Sequence, residues 1–165
     1  MFIIPVHNLI FGDPLNQQHT TMENFSLKDR VIIVTGGTGI LGDAFIKGIA
    51  AAGATVGILG RNEAVANQRA EAVIANGGKA IALIADVLKE DQLIAARTKI
   101  LDKFGRIDGL INGAGGNMPE AIIQPGADLF QMNLEGLRKV LDLNLWGTII
   151  PTQIFGEAIA KKQAG

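Results

Sequence analysis

Three evenly spaced glycines, Gly36, Gly39 and Gly42, separate an apolar run from a helix-like pattern in the stretch RVIIVTGGTGILG, residues 30–42. Their G-x-x-G-x-x-G spacing suits a phosphate-binding turn, in which the first glycine allows a sharp turn, the second admits a pyrophosphate and the third lets the helix pack on the strand. Amides at the helix start would attract the anion, and the lack of a following Gly-Lys-Ser/Thr excludes a Walker-type loop. The spacing therefore predicts a dinucleotide site. Its predicted residues are Gly36, Thr38, Gly39, Ile40, Leu41 and Gly42.

A second candidate contact with the cofactor follows the next apolar run, TVGILG, at residues 55–60. In sites of this kind the residue after the second strand reads the adenosine ribose, with an acid for a 2′-hydroxyl or an arginine for a 2′-phosphate. Arg61 stands at this point and Asn62 follows it, and a guanidinium fork suits a phosphate. We therefore assign both residues to cofactor binding, with NADP favoured over NAD. The competing interpretation is that Arg61 is an ordinary solvated side chain.

Groups that could transfer protons or act as nucleophiles are scarce. The chain has no cysteine and no tyrosine, both histidines precede residue 22, and Ser26 is the only serine. From residue 27 onward the sequence therefore lacks the Ser, Cys or His that nucleophilic catalysis would use and the Cys or His that would bind zinc. The acids Glu120, Asp128 and Glu135 have no paired spacing typical of glycoside hydrolysis.

The elements that must position these residues follow from the hydrophobic pattern. From residue 22 onward, short runs rich in Val, Ile and Leu alternate with stretches of helical period, which is typical of βαβ units around a parallel sheet buried on both faces. We predict an α/β fold with a Rossmann-like parallel sheet and helices on both faces. The predicted strands are 30–36, 55–60, 79–87 and 107–112, with a crossover helix in each interval. From Asp128 to the end, the pattern predicts one long helix or a broken pair.

Length and composition narrow the class of protein. The 165 residues are 48% hydrophobic with a mean hydropathy of +0.29, which suits one domain with a substantial core. A net charge of −1 leaves no basic stripe, so we expect no nucleic-acid partner. The absence of cysteine suits a reducing cytoplasm, and we expect a cytoplasmic protein whose partner is a small-molecule substrate.

No segment has the pattern of a membrane anchor. Residues 1–21 lack the basic start and the cleavage site of a signal peptide, and we interpret them as a disordered leader ahead of an NAD(P)-binding domain at 22–165. The longest apolar segment, 141–160, carries two acids and a proline, so it is too polar to cross a bilayer unaided. We therefore expect no membrane partner.

Four motifs, in order, resemble the short-chain dehydrogenase/reductase family over residues 24–165. They are the glycine turn at 35–42, ADV at 85–87, NGAG at 112–115 and NLWG at 144–147. The glycine turn departs from the family's commoner T-G-x-x-x-G-x-G, and NGAG has glycine where the family more often has a second asparagine. Four motifs in the family's order nevertheless make the resemblance specific.

The resemblance implies a role for each motif. Asp86 and Val87 would border the adenine, and Asn112 would brace the central strands. The residues that would pass close to the nicotinamide ribose are Gly113, Ala114 and Gly115. The competing interpretations are that Asp86 caps a helix and that Asn112 satisfies the end of a strand.

Asn144 would lie in the catalytic site and order a water that relays protons. The competing interpretation is a polar side chain bonded to a backbone carbonyl. The family transfers a hydride between nicotinamide and a hydroxyl or keto carbon, and the stretches NGAGGNMPEAI and LDLNLWGTIIPTQIFGEAI are similar to its D-mannonate or fructuronate oxidoreductases and gluconate dehydrogenases. The resemblance thus implies an NAD(P)-dependent oxidoreductase acting on a small polyol or sugar acid.

The family's catalytic Ser and Tyr-x-x-x-Lys motif are missing from the sequence. Lys161 and Lys162 cannot replace it, because no tyrosine stands four residues before either. We therefore expect a truncated N-terminal portion, inactive alone, whose sheet is incomplete on its C-terminal side. The edge of its fourth strand and the helix at 128–165 would favour a homo-oligomer. The alternatives are a non-catalytic dinucleotide-binding or interaction module and, disfavoured by Arg61, a methyltransferase.

Overall fold

The computed structural model of the protein describes residues 25–126 and 128–163. The leader predicted at 1–21 lies outside the described residues. In the described part of the chain, no helix combines the length and apolar character needed to span a membrane.

The predicted α/β fold is confirmed, with four parallel strands in the order β3-β2-β1-β4. The strands are β1 Val31–Thr35, β2 Thr55–Gly60, β3 Lys79–Ile84 and β4 Gly109–Asn112. Every residue of β2 is buried, as expected for a central strand covered on both faces.

Three predicted strands are longer than the observed ones. The strand predicted at 30–36 exceeds β1 by one residue at each end. The strand predicted at 79–87 ends at Ile84, because the backbone turns at Asp86, where the carboxylate accepts the Leu88 amide at 3.0 Å. The strand predicted at 107–112 begins at Gly109. The apolar sequence pattern extends beyond β3 and β4 because Val87 and Ile107, which lie in loops, are also buried.

The helices between the strands begin and end at recognisable caps. They are α1 Ile40–Ala51, α2 Glu63–Ala75 and α3 Glu90–Phe104. Asn62 caps α2, since its side-chain oxygen accepts the Val65 amide at 3.1 Å. At the end of α3, Gly105 takes a left-handed φ of 69°, which glycine adopts without steric cost.

The C-terminal region is broken into several helical segments, which decides between the two predicted possibilities of one long helix and a broken pair. It consists of 3₁₀ turns at Pro119–Ala121 and Leu129–Gln131, α4 at Leu134–Leu141, a π-helical segment at Asp142–Trp146 and α5 at Gly147–Gln163. Asp128 caps a 3₁₀ turn instead of the helix, through a bond from the Phe130 amide at 3.0 Å. The helix cap is Asn133, which accepts the Gly136 amide at 3.0 Å. The prediction that the helix begins at Asp128 is therefore wrong, because α4 begins at Leu134, after a 3₁₀ turn.

Two apolar clusters cover the two faces of the sheet. On one face, α1 and α2 contribute Ile46, Ala66 and Val73. On the other, α3 contributes Leu93 and Ile100, and α5 contributes the fully buried Phe155. This three-layer arrangement is the one predicted from the sequence.

The two edges of the sheet differ in how they are covered. At the β3 edge, the Lys99 ammonium donates to the Ala82 carbonyl at 3.0 Å, and a lysine at a strand edge discourages pairing with another chain. At the other edge, β4 pairs with β1 alone among the described strands. Three of its four residues are half-buried and Asn112 is exposed.

Candidate functional site

The site lies where the direction of strand succession reverses. From β1 the chain adds β2 and β3 on one side and then returns to place β4 on the other. In open parallel sheets, ligands bind at the carboxyl ends of the strands on either side of such a switch point. The glycine turn after β1 and the NGAG loop after β4 therefore meet at the position expected for a ligand.

These two loops approach so closely that glycine is required. Gly36 has a φ of +65°, and a Cβ built on it would lie 2.4 Å from the Gly113 carbonyl oxygen. A Cβ on Gly42 would lie 2.3 Å from the Gly36 oxygen. Both distances are below any real Cβ contact, so the first and third glycines of the motif are fixed by backbone packing.

The start of α1 is open to an anion. Its N-cap is Gly39, which has no side chain to bond the first helical amides. The first backbone bond of the helix runs from the Asp43 amide to the Gly39 oxygen at 3.3 Å. Ile40 and Leu41 are 92% and 71% exposed, so the first turn of α1 faces outward with its amides available to a phosphate.

Thr35 joins the two loops, and the sequence analysis missed it. Its fully buried hydroxyl accepts the amides of Gly113 and Ala114, both at 3.1 Å, and donates to the Ile111 carbonyl at 3.4 Å. The only signal in the sequence was a threonine directly before Gly36. Its role depends on a strand that is more than seventy residues away along the chain.

The end of β2 carries the residues assigned to the adenosine ribose. Arg61 is exposed there. A Cβ on Gly60 would lie 2.5 Å from Thr38 Oγ1, so Thr38 packs over the strand end beside Arg61. Asn62 has its side-chain oxygen engaged as the cap of α2. The structure thus brings Thr38 and Arg61 to one edge and gives Asn62 a structural bond of its own.

The ADV motif forms a tight turn after β3. The Asp86 amide donates to Gln92 Oε1 at 2.8 Å, and its carboxylate accepts the Leu88 amide at 3.0 Å. Val87 is 6% exposed, and a Cβ on Gly147 would lie 3.0 Å from Val87 Cγ2. Their contact with adenine stays a prediction. Asp86 does not cap α3, whose N-cap is Lys89, and its bond from the Leu88 amide closes a turn ahead of the helix.

Asn112 links β4 to the helix behind it. Its side-chain amide donates to Thr152 Oγ1 at 2.9 Å. The bond that joins β1 to the loop after β4 comes from Thr35 instead. Asn112 was predicted to brace the central strands, and in this structure its side chain bonds a helix, α5, instead of a neighbouring strand.

Asn144 lies in the π-helical segment and holds the loop after NGAG. Its side-chain amide donates to the carbonyls of Gly116 and Val140 at 2.7 and 2.8 Å, and its oxygen accepts the Gly116 amide at 3.2 Å. A Cβ on Gly115 would lie 2.7 Å from the same oxygen. Asn144 is therefore close to the predicted nicotinamide loop, with its polar atoms bonded to backbone. π-helical turns of this kind are frequent at functional sites.

Arg69, on α2, is a second residue that the sequence analysis missed. Its Nη1 donates to the carbonyls of Gly37 and Gly39 at 2.6 and 2.7 Å. Its Nε lies 3.6 Å from Asp43 Oδ1. A hydrogen bond from Lys47, with the charges of Lys47 and Arg69, holds the pKa of Asp43 below its ordinary value. No motif in the sequence singles out a helical arginine for this role.

Comparison with known proteins agrees with this geometry. A family model described as short chain dehydrogenase matches residues 30–165. The uncharacterized oxidoreductase UxuB of Bacillus subtilis is 35% identical over 144 residues, which are 82% of this chain and 52% of that protein. The 2-dehydro-3-deoxy-D-gluconate 5-dehydrogenase of Formosa agariphila is 31% identical over 149 residues, or 88% and 53% of the two chains.

A solved structure has the same fold over the same region. It is the "putative D-Mannonate oxidoreductase from Haemophilus influenza" with bound NAD, with a TM-score of 0.77 and 32% identity over 84% of this chain and 53% of that one. The chain spans about half the length of the curated relatives it matches.

Proposed function

This chain belongs to the short-chain dehydrogenase family, and we propose that it holds a nicotinamide dinucleotide for hydride transfer to or from a hydroxyl or keto carbon. The observation that carries the proposal is the glycine turn at the switch point of the sheet. There a Cβ on Gly36 or Gly42 would collide with backbone, and the first turn of α1 faces outward.

The two ends of the cofactor would contact different loops. The pyrophosphate would bind the amides at the start of α1, where the helix dipole favours negative charge. The nicotinamide ribose would lie against Gly113–Gly115. Thr35 bonds the amides of Gly113 and Ala114, and Asn144 bonds the next residue of the loop, Gly116. When bound, the cofactor supplies the hydride, and these residues hold and orient it.

We further propose that Arg61 favours NADP by bonding the adenosine 2′-phosphate. The support is its exposed position directly after β2, where this group would be expected. Charge-assisted bonds of this kind contribute about 1.5–3 kcal/mol. The alternative is NAD, the cofactor bound to the structural neighbour from Haemophilus influenza.

Titration of the purified chain with NADH and NADPH tests this choice. Arg61→Asp should lower the affinity for NADPH and leave that for NADH unchanged or higher. An unchanged ratio of the two affinities in this variant would mean that Arg61 is only a surface charge.

For the substrate we propose a small polyol or sugar acid. The support is the similarity to the gluconate-type dehydrogenase of Formosa agariphila and to the mannonate oxidoreductase structure. In this proposal the NGAG and NLWG segments border the reacting carbon. Mannonate, fructuronate and gluconate are therefore the first substrates to assay.

We propose that the 165 residues alone bind cofactor without turnover. The reacting oxygen needs a group of suitable pKa within about 3 Å, or one water away. The Asn144 amide does not titrate, and Lys161 is bonded to Glu157 at 2.6 Å. The sequence has no tyrosine for the role.

The decisive assay uses the three sugar acids with both cofactors, for the chain alone and for the chain fused to a family-type C-terminal half. Turnover should require the added half. Cofactor-dependent turnover by the chain alone would contradict the proposal. Binding of NADH without turnover in either form would favour the alternative of a non-catalytic dinucleotide-binding module.

We also propose that copies of the chain associate through β4 and the adjacent helices. The support is the strand edge of β4 and the exposure of Leu141, Leu145 and Trp146 at 54%, 53% and 48%. Sedimentation of the wild type and of Leu145→Asp tests this. The variant should shift the chain toward the monomer, and an identical distribution of species would contradict the proposal.

A further inference from the structure

Arg69 lies outside every motif, and yet it makes the shortest bonds to the glycine turn that any side chain provides in the described part of the chain. It belongs to α2, whose first residue follows Arg61 and Asn62. Its side chain is 20% exposed, so most of it is covered between α1 and α2. One nitrogen, Nη1, spans the two carbonyls on either side of Thr38.

These bonds complete the anchoring of the turn. The Gly37 amide already donates to the Leu59 carbonyl of β2 at 2.9 Å, and the Gly39 amide donates to the Gly36 carbonyl at 2.9 Å. Arg69 takes the carbonyls that these glycines present on the opposite side. Because glycine has the largest conformational freedom of any residue, a segment of this composition needs such external bonds to keep one shape.

The guanidinium is itself held in place. Its Nε lies 3.6 Å from Asp43, which also pairs with Lys47 one helical turn further along α1. A planar guanidinium can bond a carboxylate and two carbonyls in fixed directions, which an ammonium on a flexible stem does less well. Asp43 therefore orients Arg69, and Arg69 orients the turn.

We propose that Arg69 is a positioning residue that keeps the glycine turn in its phosphate-binding shape. This inference rests on the proposed function of the turn. The guanidinium uses its Nη1 donors on Gly37 and Gly39, so it acts on the phosphate through the backbone. Loss of these bonds lets the turn sample other conformations, and the binding-competent fraction, and with it the apparent affinity, falls.

The test compares Arg69→Met with Arg69→Lys and with a matched control in the full chain. The control is Arg97→Met, because Arg97 also bonds a backbone carbonyl and a carboxylate, Ile154 at 3.2 Å and Glu157 at 2.8 Å, and has 25% side-chain exposure. Dissociation constants are measured for NADH, ADP and adenosine. Adenosine lacks the diphosphate, so its affinity does not depend on the phosphate turn, and thermal unfolding reports the folded fraction of each variant.

We expect Arg69→Met to weaken NADH and ADP by about tenfold, equivalent to 1.4 kcal/mol, and to leave adenosine within a factor of about two. Arg69→Lys should fall between Arg69→Met and the wild type, and Arg97→Met should match the wild type. Two results would overturn the positioning role without affecting the proposed function. One is that Arg69→Met binds NADH as tightly as the wild type, and the other is that it loses as much affinity for adenosine as for NADH. A wild-type chain that binds neither NADH nor NADPH would overturn the proposed function and this inference with it.

Discussion

Replacing Gly36 with alanine tests the packing that defines the site. Two separate costs are expected, since Gly36 has a φ of +65° and its added Cβ would lie 2.4 Å from the Gly113 oxygen. The left-handed conformation costs a non-glycine residue roughly 1–2 kcal/mol. The contact is about 0.6 Å shorter than the 3.0 Å limit of real Cβ contacts, so the loop after β4 must move away as well.

Two further glycines separate these costs. Gly77 has a φ of +80° with nothing within 4 Å of a built Cβ, so Gly77→Ala should lose only the conformational term of roughly 1–2 kcal/mol. Gly48 lies inside α1 with open space and no positive φ, so Gly48→Ala should stabilise the chain by roughly 0.5–1 kcal/mol. Gly36→Ala should lose more unfolding free energy than Gly77→Ala.

The assay is urea unfolding of the three variants together with titration by NADH. Only Gly36→Ala should weaken NADH, by about tenfold or more, because it alone displaces Gly113 and the phosphate turn from each other. The reasoning is refuted if Gly36→Ala is no less stable than Gly77→Ala and binds NADH as tightly as the wild type. In that case the approach of the two loops would not define the site.

Three other outcomes can be measured with the same protein. Phe155→Ala should lower the unfolding free energy by about 3–5 kcal/mol in urea melts, because Phe155 is fully buried, and a loss below 1 kcal/mol would contradict its place in the core. Bonds from Lys161 and Arg97 hold the pKa of Glu157 below its ordinary value of 4.5. Its stabilisation, measured against Glu157→Gln, should therefore be full above that pH and vanish as the pH falls through the lowered pKa; a difference that persists in acid would contradict the ion pairs. A chain that starts at Met22 should keep the thermal midpoint of the full chain, and a loss above about 1 kcal/mol would show that residues 1–21 stabilise the fold.

The features predicted from the sequence are those that depend on short stretches of chain. The strand–turn–helix around Gly36 was identified because each glycine of the motif meets a steric requirement of the backbone next to it. The alternation of buried strands and amphipathic helices also follows from periods within single elements. The α/β fold and the turn could therefore be predicted without knowledge of any long-range contact.

The errors occurred where distant contacts decide the outcome. Thr35 and Arg69 act on residues of other elements, and nothing within a few positions of either one specifies its partner. The strand ends were misplaced because Val87 and Ile107 are apolar residues buried in loops. The hydrophobic period alone does not distinguish such residues from residues of a buried strand. Asp128 and Asn133 are both good caps, and only packing decides that the 3₁₀ turn takes the first and the helix takes the second.

Binding and catalysis make different demands on this fold, so the proposed cofactor binding does not require turnover. The phosphate turn is built from backbone amides and carbonyls, so it needs only glycines, a helix start and supports such as Thr35 and Arg69. Proton transfer needs a side chain whose pKa matches the reaction. Asn144 meets the first demand, since its amide fixes the backbone of Gly116, and it cannot meet the second. The described residues therefore contain the parts that would hold the cofactor, and Asn144, the residue assigned to the catalytic position, has no side-chain group that could exchange the proton.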